Sequence, residues 1–218
     1  MNGVPKKLTL LVAITTIAGA AAVFAYLSGF PPFERSGDIS SKEVCESLGD
    51  KGESVPALKD VLPDKTEYSF DDRTDGETVA QGGSSFTADC LVWGEGSVLL
   101  SARTQMMVAK PSQSWAAEAI GEDLASRATS FEAGAMGVVE GGKAALLVPC
   151  SAPGSVVGGS YSLSVVVHLR GHEGSEKAKV EQRLVDLAVG SARFAHKTAE
   201  CDLPSKIPAA SPQVGRDS

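Results

Sequence analysis

Basic residues do not cluster anywhere in the folded part of this 218-residue chain. The first thirty residues hold Lys6 and Lys7 and no acid, which leaves 18 basic against 27 acidic groups after them. Nucleic-acid binding needs a Lys/Arg surface to neutralise phosphates, so nucleic acid is excluded as a partner. Histidine is scarce, with three in all, and aromatic residues make up only 6%. No Gly-x-Ser-x-Gly elbow is present, and Gly141-Gly142-Lys143 lacks the spacing and the Ser/Thr of a phosphate loop. Cysteine pairs of the Cys-x-x-Cys kind, which zinc sites use to draw two thiolates from one turn, are also missing.

What the chain does have begins at its N-terminus. Leu8 to Phe30 is 23 residues without a charge. As a helix it would measure about 34 Å, enough to cross a hydrocarbon core of about 30 Å. Lys6 and Lys7 precede it, so the positive-inside rule keeps the N-terminus cytoplasmic and exports the rest. A cleaved signal peptide is the alternative, with Val23-Phe24-Ala25 before the cut at Tyr26. The run outlasts the usual 7 to 15 apolar residues of a signal peptide, which favours an uncleaved anchor. Lipidation is excluded, because the first cysteine is Cys45.

Four cysteines, Cys45, Cys90, Cys150 and Cys201, are scattered through the exported part and read as two disulfides. Three connectivities are open to them. The choice is Cys45–Cys90 and Cys150–Cys201, since each pair would tie a helix to a strand in the same half of the chain.

Local patterns give an α+β fold, one antiparallel sheet with helices packed on a single face. The expected organisation is a cytoplasmic 1–7, a transmembrane helix 8–30, a linker 31–39, the folded domain 40–202 and a disordered tail 203–218. A capping box, Ser40 with Glu43, predicts a helix from Ser40 to Gly49, and a second helix is expected over Val55–Leu62. Strands follow at Thr66–Phe70, at Phe86–Trp93 and from Ser97 to Lys110, with a polar loop over 71–85. A helix over Ser114–Arg127, a hairpin of 137–142 with 143–150, a strand from Ser160 to Arg170 and a helix from Ser175 to about Lys197 complete the order.

In the long strands alternate positions are apolar and polar, so Arg103, Gln105, His168 and Arg170 should share a wet face. That face is the candidate binding surface, and Trp93 and Trp115 are candidates to line a groove. The acidic stretch Asp71, Asp72, Asp75, Glu77 imitates a calcium loop but fails, with Arg73 at the third ligand position and Gly82 at the twelfth. His168 and His172 stand four apart, a spacing that gathers metal ligands on a helix and not on a strand. No metal, cofactor or catalytic residue is therefore assigned.

Helix-borne Cys45, the motif Thr87-Ala-Asp-Cys-Leu-Val-Trp93, a long strand, and a late helix ending in Cys201 give the chain its resemblance to actinobacterial cell-envelope proteins of unknown function. The resemblance covers roughly residues 40 to 202. It implies a secreted or lipoprotein-like α+β domain with two disulfides and transfers no catalytic residue. The functional expectation is an extracytoplasmic domain anchored by one membrane span, serving as a non-enzymatic binding, sensory or accessory protein. Its partners would be the membrane, an envelope protein or a small molecule. The alternatives are an exported hydrolase or cation-dependent enzyme with a dispersed site, and a scaffold subunit of a membrane complex.

Overall fold

A computed structural model describes residues 37–79, 82–133, 136–151, 161–171, 176–201 and 207–215. The Leu8–Phe30 segment, its linker to residue 36 and His172 lie outside the described residues. Among the described residues no helix is long and apolar enough to cross a membrane. The folded unit starts at Asp38.

Seven strands form one antiparallel sheet in the order β1-β2-β3-β7-β6-β5-β4. They are β1 (Tyr68–Asp75), β2 (Thr87–Gly94), β3 (Ser97–Val108), β4 (Thr129–Glu132), β5 (Met136–Glu140), β6 (Lys143–Cys150) and β7 (Tyr161–Leu169). Two meanders, β1 to β3 and β4 to β7, thus meet where β3 pairs with β7 at the centre, and β1 and β4 are the edges. The helices are α1 (Lys51–Val61), α2 (Ser112–Ile120), α3 (Glu122–Ala125) and α4 (Lys177–Thr198).

Period-two burial gives the sheet an inner face of Val92, Leu100, Ala102, Met106, Ala144, Leu146, Val148, Leu163, Val165 and Val167. Against it packs α4, whose Val180, Leu184, Leu187, Ala188 and Ala195 repeat at helical spacing. α1 lies beside α4 in the same core. The main core is therefore sheet, α4 and α1.

Expectation and structure part company in several respects. First, helices cover both faces, not one. On the outer face Val138, Ala145, Leu147 and Val166 make a second apolar patch, closed by Trp115, Ala116 and Ile120 of α2 and by Leu124 of α3. The polar Ser162, Ser164 and His168 of β7 masked this patch, because its apolar groups come mostly from β5 and β6.

Second, the helix expected from Ser40 is a single turn, in which the Glu43 and Val44 amides donate to the Ser40 carbonyl. Cys45 then turns extended, and only a 3-10 turn, Glu46–Leu48, follows. Asp72 on β1 caps that turn, accepting from the Glu46 amide at 2.6 Å and from Ser47. Third, α1 begins at Lys51, capped by Asp50, whose carboxylate accepts from the Gly52 amide. Pro56 is thus inside the helix, where its missing N–H leaves the Gly52 carbonyl without the usual partner. Fourth, β1 runs on through Asp75 although three of its eight residues are aspartates, and the helix after β3 breaks at Gly121, whose φ of 97° ends α2 and starts α3. β4 was not expected at all.

Fifth, the tail is in part ordered structure. Residues 207–215 lie against α4, with Ile207 only 9% exposed in the main core and Val214 packed on it.

Both disulfides fasten a helical element to the inner side. Cys45 bonds Cys90, the register partner of Asp72, so a covalent bond and the Asp72 cap hold the 3-10 turn at one place on the sheet. Cys150 at the end of β6 bonds Cys201 just past α4. The connectivity is the one chosen from the sequence, and two such bonds fit folding in an oxidising, extracytoplasmic compartment.

Candidate binding surface

On the outer face the registers place side chains in rows across the sheet. One row runs Asp89, Arg103, Val166, Ala145; a second runs Leu91, Ser101, His168, Lys143; a third runs Thr87, Gln105, Ser164, Leu147. In the first and third rows β2 and β3 are polar and β6 is apolar or small, whereas the second starts on Leu91 and stays polar through Ser101 and His168 to Lys143 at the start of β6. α2 and α3 sit on the β6 side of the rows. Among the described residues no helix packs on the outer face of β1 and β2, and on β3 only Met107, near its end, joins the apolar patch under α2.

Two side chains fix the border. Trp115 Nε1–H donates to Ser164 Oγ at 2.8 Å, and Lys143 Nζ donates to the Ile120 carbonyl at 3.1 Å, where a cation suits the C-terminal end of α2. Trp115 is 1% exposed. It is the centre of the outer core, and this corrects its assignment as a groove-lining residue.

Arg103 and Gln105 are exposed on the open half, as alternation requires. Arg103 Nε donates to Asp89 Oδ1 at 2.7 Å, and Arg73 on β1 bonds Asp71 through Nε and Nη2. Two opposite-charge pairs therefore stand on this surface. His168 is half-buried at the border. Burial first, then the neighbouring Lys143 and Arg170 cations, hold its pKa below the usual histidine range, so the ring is neutral at pH 7. Arg170 is exposed just past the end of β7, with its amide bonded to the Leu99 carbonyl. The four polar candidates are therefore near one another but not equivalent: Arg103 and Gln105 project from the open sheet, whereas His168 and Arg170 stand at its margin.

Trp93 is half-buried and does line a groove. With Glu67, Tyr68, Ser69, Glu95 and Gly96 it bounds a half-open depression of about 320 Å³ at the β2–β3 turn. Tyr68 is held there by its Oη–H, which donates to the Pro63 carbonyl at 2.7 Å, while accepting from the Lys65 amide. Glu95, in the turn at φ 50°, accepts from Lys65 Nζ at 2.9 Å and from the Thr66 amide. Those bonds keep its carboxyl below the ordinary glutamate range. An indole face beside two carboxylates suits a flat or cationic group.

Among the described residues of this surface no serine nucleophile is hydrogen-bonded to a histidine base. Ser101 is the register partner of His168, yet no hydrogen bond joins them, and His196 lies on the other side of the sheet in α4. Among the described residues no three His, Cys, Asp or Glu side chains gather as a metal site. The acidic stretch expected to be a loop is instead strand β1, with Asp72 engaged as a cap and Asp71 as an ion pair.

Sequence reasoning missed the polar clamp under the C-terminal segment. Gln182 and Arg193 of α4 bind the main chain of Pro208, Pro212 and Val214. Three prolines after Leu203 were the available signal, since an extended strap is a natural use of such a segment. Comparison with known proteins finds no matching family model, no similar curated protein and no similar solved structure.

Proposed function

We propose that the chain is a non-enzymatic binding domain displayed outside a membrane by the Leu8–Phe30 segment, with its N-terminus cytoplasmic. Its recognition surface is the outer face of β1, β2 and β3, with the Trp93 groove at the rim, and its partner is an envelope protein or a small molecule. The observation that carries this reading is the partial cover of the sheet: α2 and α3 seal the apolar half of the outer face and stop at the polar half. Side chains there are presented by rigid, paired strands, which is how a fold holds a contact surface without ordering it at each encounter. The two disulfides support an oxidising location.

A photo-crosslinking residue at Gln105 or at Ser101, in cells that make the full chain, tests the surface. A position on α2 such as Glu118, which is also exposed, is the control. Discrete adducts are expected from the sheet positions and not from Glu118. Identical patterns from all three would remove the open face as the recognition surface. N-terminal sequencing tests the anchor, and a mature start at Tyr26 would sink it.

A further inference from the structure

We infer that the surface of α4 between Arg193 and Gln182 is a groove for a proline-bearing peptide. The chain fills it in cis with its own residues 207–215, and a segment of the same kind from an exported partner can take their place. This inference is independent of the open sheet face, which lies on the opposite side of the sheet.

The two clamp residues are set well apart along the helix. Gln182 and Arg193 are eleven residues apart on one helix, a span of about 17 Å. From Pro208 to Val214 the strap has seven residues and bends once, at Ala209 and Ala210, so its ends reach both clamp residues. Arg193 meets Pro208 and Gln182 meets Pro212 and Val214, so the strap runs antiparallel to α4.

The bonds read the backbone of the strap and not its side chains. Arg193 Nε and Nη2 both donate to the Pro208 carbonyl, at 3.0 and 2.7 Å, while its Nη1 is held by Glu53 of α1 at 2.8 Å. Gln182 donates through Nε2 to the Pro212 carbonyl at 2.9 Å and accepts the Val214 amide on Oε1 at 2.9 Å. One side-chain amide thus makes the two bonds that a neighbouring strand would make. Proline suits such a site, because it has no N–H to leave unbonded and its fixed φ lowers the entropy lost on docking. Only Ile207 and Val214 supply apolar anchoring, one at each end. Between them, on the stripe Gln182–Asp186–Val189–Arg193, Val189 is fully covered, as a groove floor should be. Recognition by carbonyls and two terminal anchors tolerates many sequences between the anchors, which makes the strap exchangeable.

The test uses the full chain and a fluorescent peptide with the sequence of residues 207–215. Ile207→Asp with Val214→Asp frees the strap and leaves the groove intact. Fluorescence anisotropy should show the peptide binding this variant at least tenfold more tightly than the unaltered chain. Adding Arg193→Ala or Gln182→Ala should weaken that binding at least fivefold. A folded, strap-freed variant that ignores the peptide overturns the proposal. Should the variant fail to fold, hydrogen exchange on the unaltered chain decides. The Val214 amide should exchange at least a hundredfold faster than core amides such as Val165, and equal protection would show the strap to be an integral part of the core. A dimer that exchanges straps between copies, seen by sedimentation, would also overturn the partner reading.

Discussion

Gly49 and Gly190 touch backbone to backbone. A Cβ on Gly190 would lie 2.5 Å from the Leu48 carbonyl oxygen, and one on Gly49 would lie 2.6 Å from the Gly190 carbonyl oxygen, with Gly49 also at φ 85°. The 3-10 turn can approach α4 this closely only because neither residue has a side chain. Gly190→Ala should therefore destabilise the domain by about 2 kcal/mol, despite the better helix propensity of alanine, because backbone must move to admit the methyl. Chemical denaturation measures this, and a stabilised variant would show the contact to be slack.

The disulfides close loops of 45 and 51 residues. In the chain-entropy description each constrains the unfolded chain by about 4 kcal/mol. Replacing both cysteines of either pair by alanine should lower stability by up to that amount. The Cys45–Cys90 variant should lose less in the native state, because Asp72 still caps the 3-10 turn. Comparing denaturation midpoints of the two double variants tests this order.

Trp115 carries the outer core. Trp115→Ala should cost about 4 kcal/mol, as a buried aromatic does. Ser164→Ala should cost about 1 kcal/mol, since it leaves the indole N–H without its acceptor. In contrast, alanine at Arg103, Gln105 and Arg170 together should move stability by less than about 1 kcal/mol, since these are exposed groups and the Arg103–Asp89 pair is solvent-accessible. Thermal melts of the three variants give the ranking.

Acid should weaken the domain through His196. It is 7% exposed in the last turn of α4, and burial holds its pKa below the ordinary value of about 6.5. The unfolded chain then binds the proton more readily than the folded one. Its contribution is constant above about pH 6.5 and declines as pH falls through that value toward the folded pKa. Glu181 has the opposite sign: burial first, and Glu140 also, raise its carboxyl, against the pull of Lys177, so its ionised form burdens the folded state until pH drops through the raised value. His196→Gln should flatten the loss of stability between pH 7 and 5.5 without touching the Glu181 limb. An unchanged slope in that window would place the acid response elsewhere.

The parts of the fold visible in the sequence are those where one period persists. β2, β3 and β7 alternate over eight to twelve residues, and α4 repeats its apolar stripe over 22. The alternation also placed Arg103 and Gln105 on an exposed face, and the cysteine pairs followed from keeping each half of the chain together. What stayed hidden depends on distant partners. The acidic half of β1 is a strand because β2 pairs with it along its whole length, not because of its own residues. The break at Gly121 needs a positive φ that a helical pattern does not reveal. Trp115 at a helix start reads equally well as groove or core until Ser164, 49 residues on, supplies its acceptor. Ile207 and Val214 are too few to announce a packed segment, and their places are set by Gln182 and Arg193 on a helix that precedes them.

The edge strands decide how such molecules behave when crowded. β1 is long enough to recruit another chain, yet its exposed stretch carries Asp71, Asp72, Arg73 and Asp75, and the 3-10 turn sits on Asp72. Two β1 edges brought together antiparallel would set carboxylates against carboxylates. At the far side β4 offers only four residues, ending in Glu132. Neither rim is a template for further strands, and the sheet resists the edge-to-edge growth that leads to fibres. At high concentration these rims favour colloidal stability, at no expense to the sheet interior.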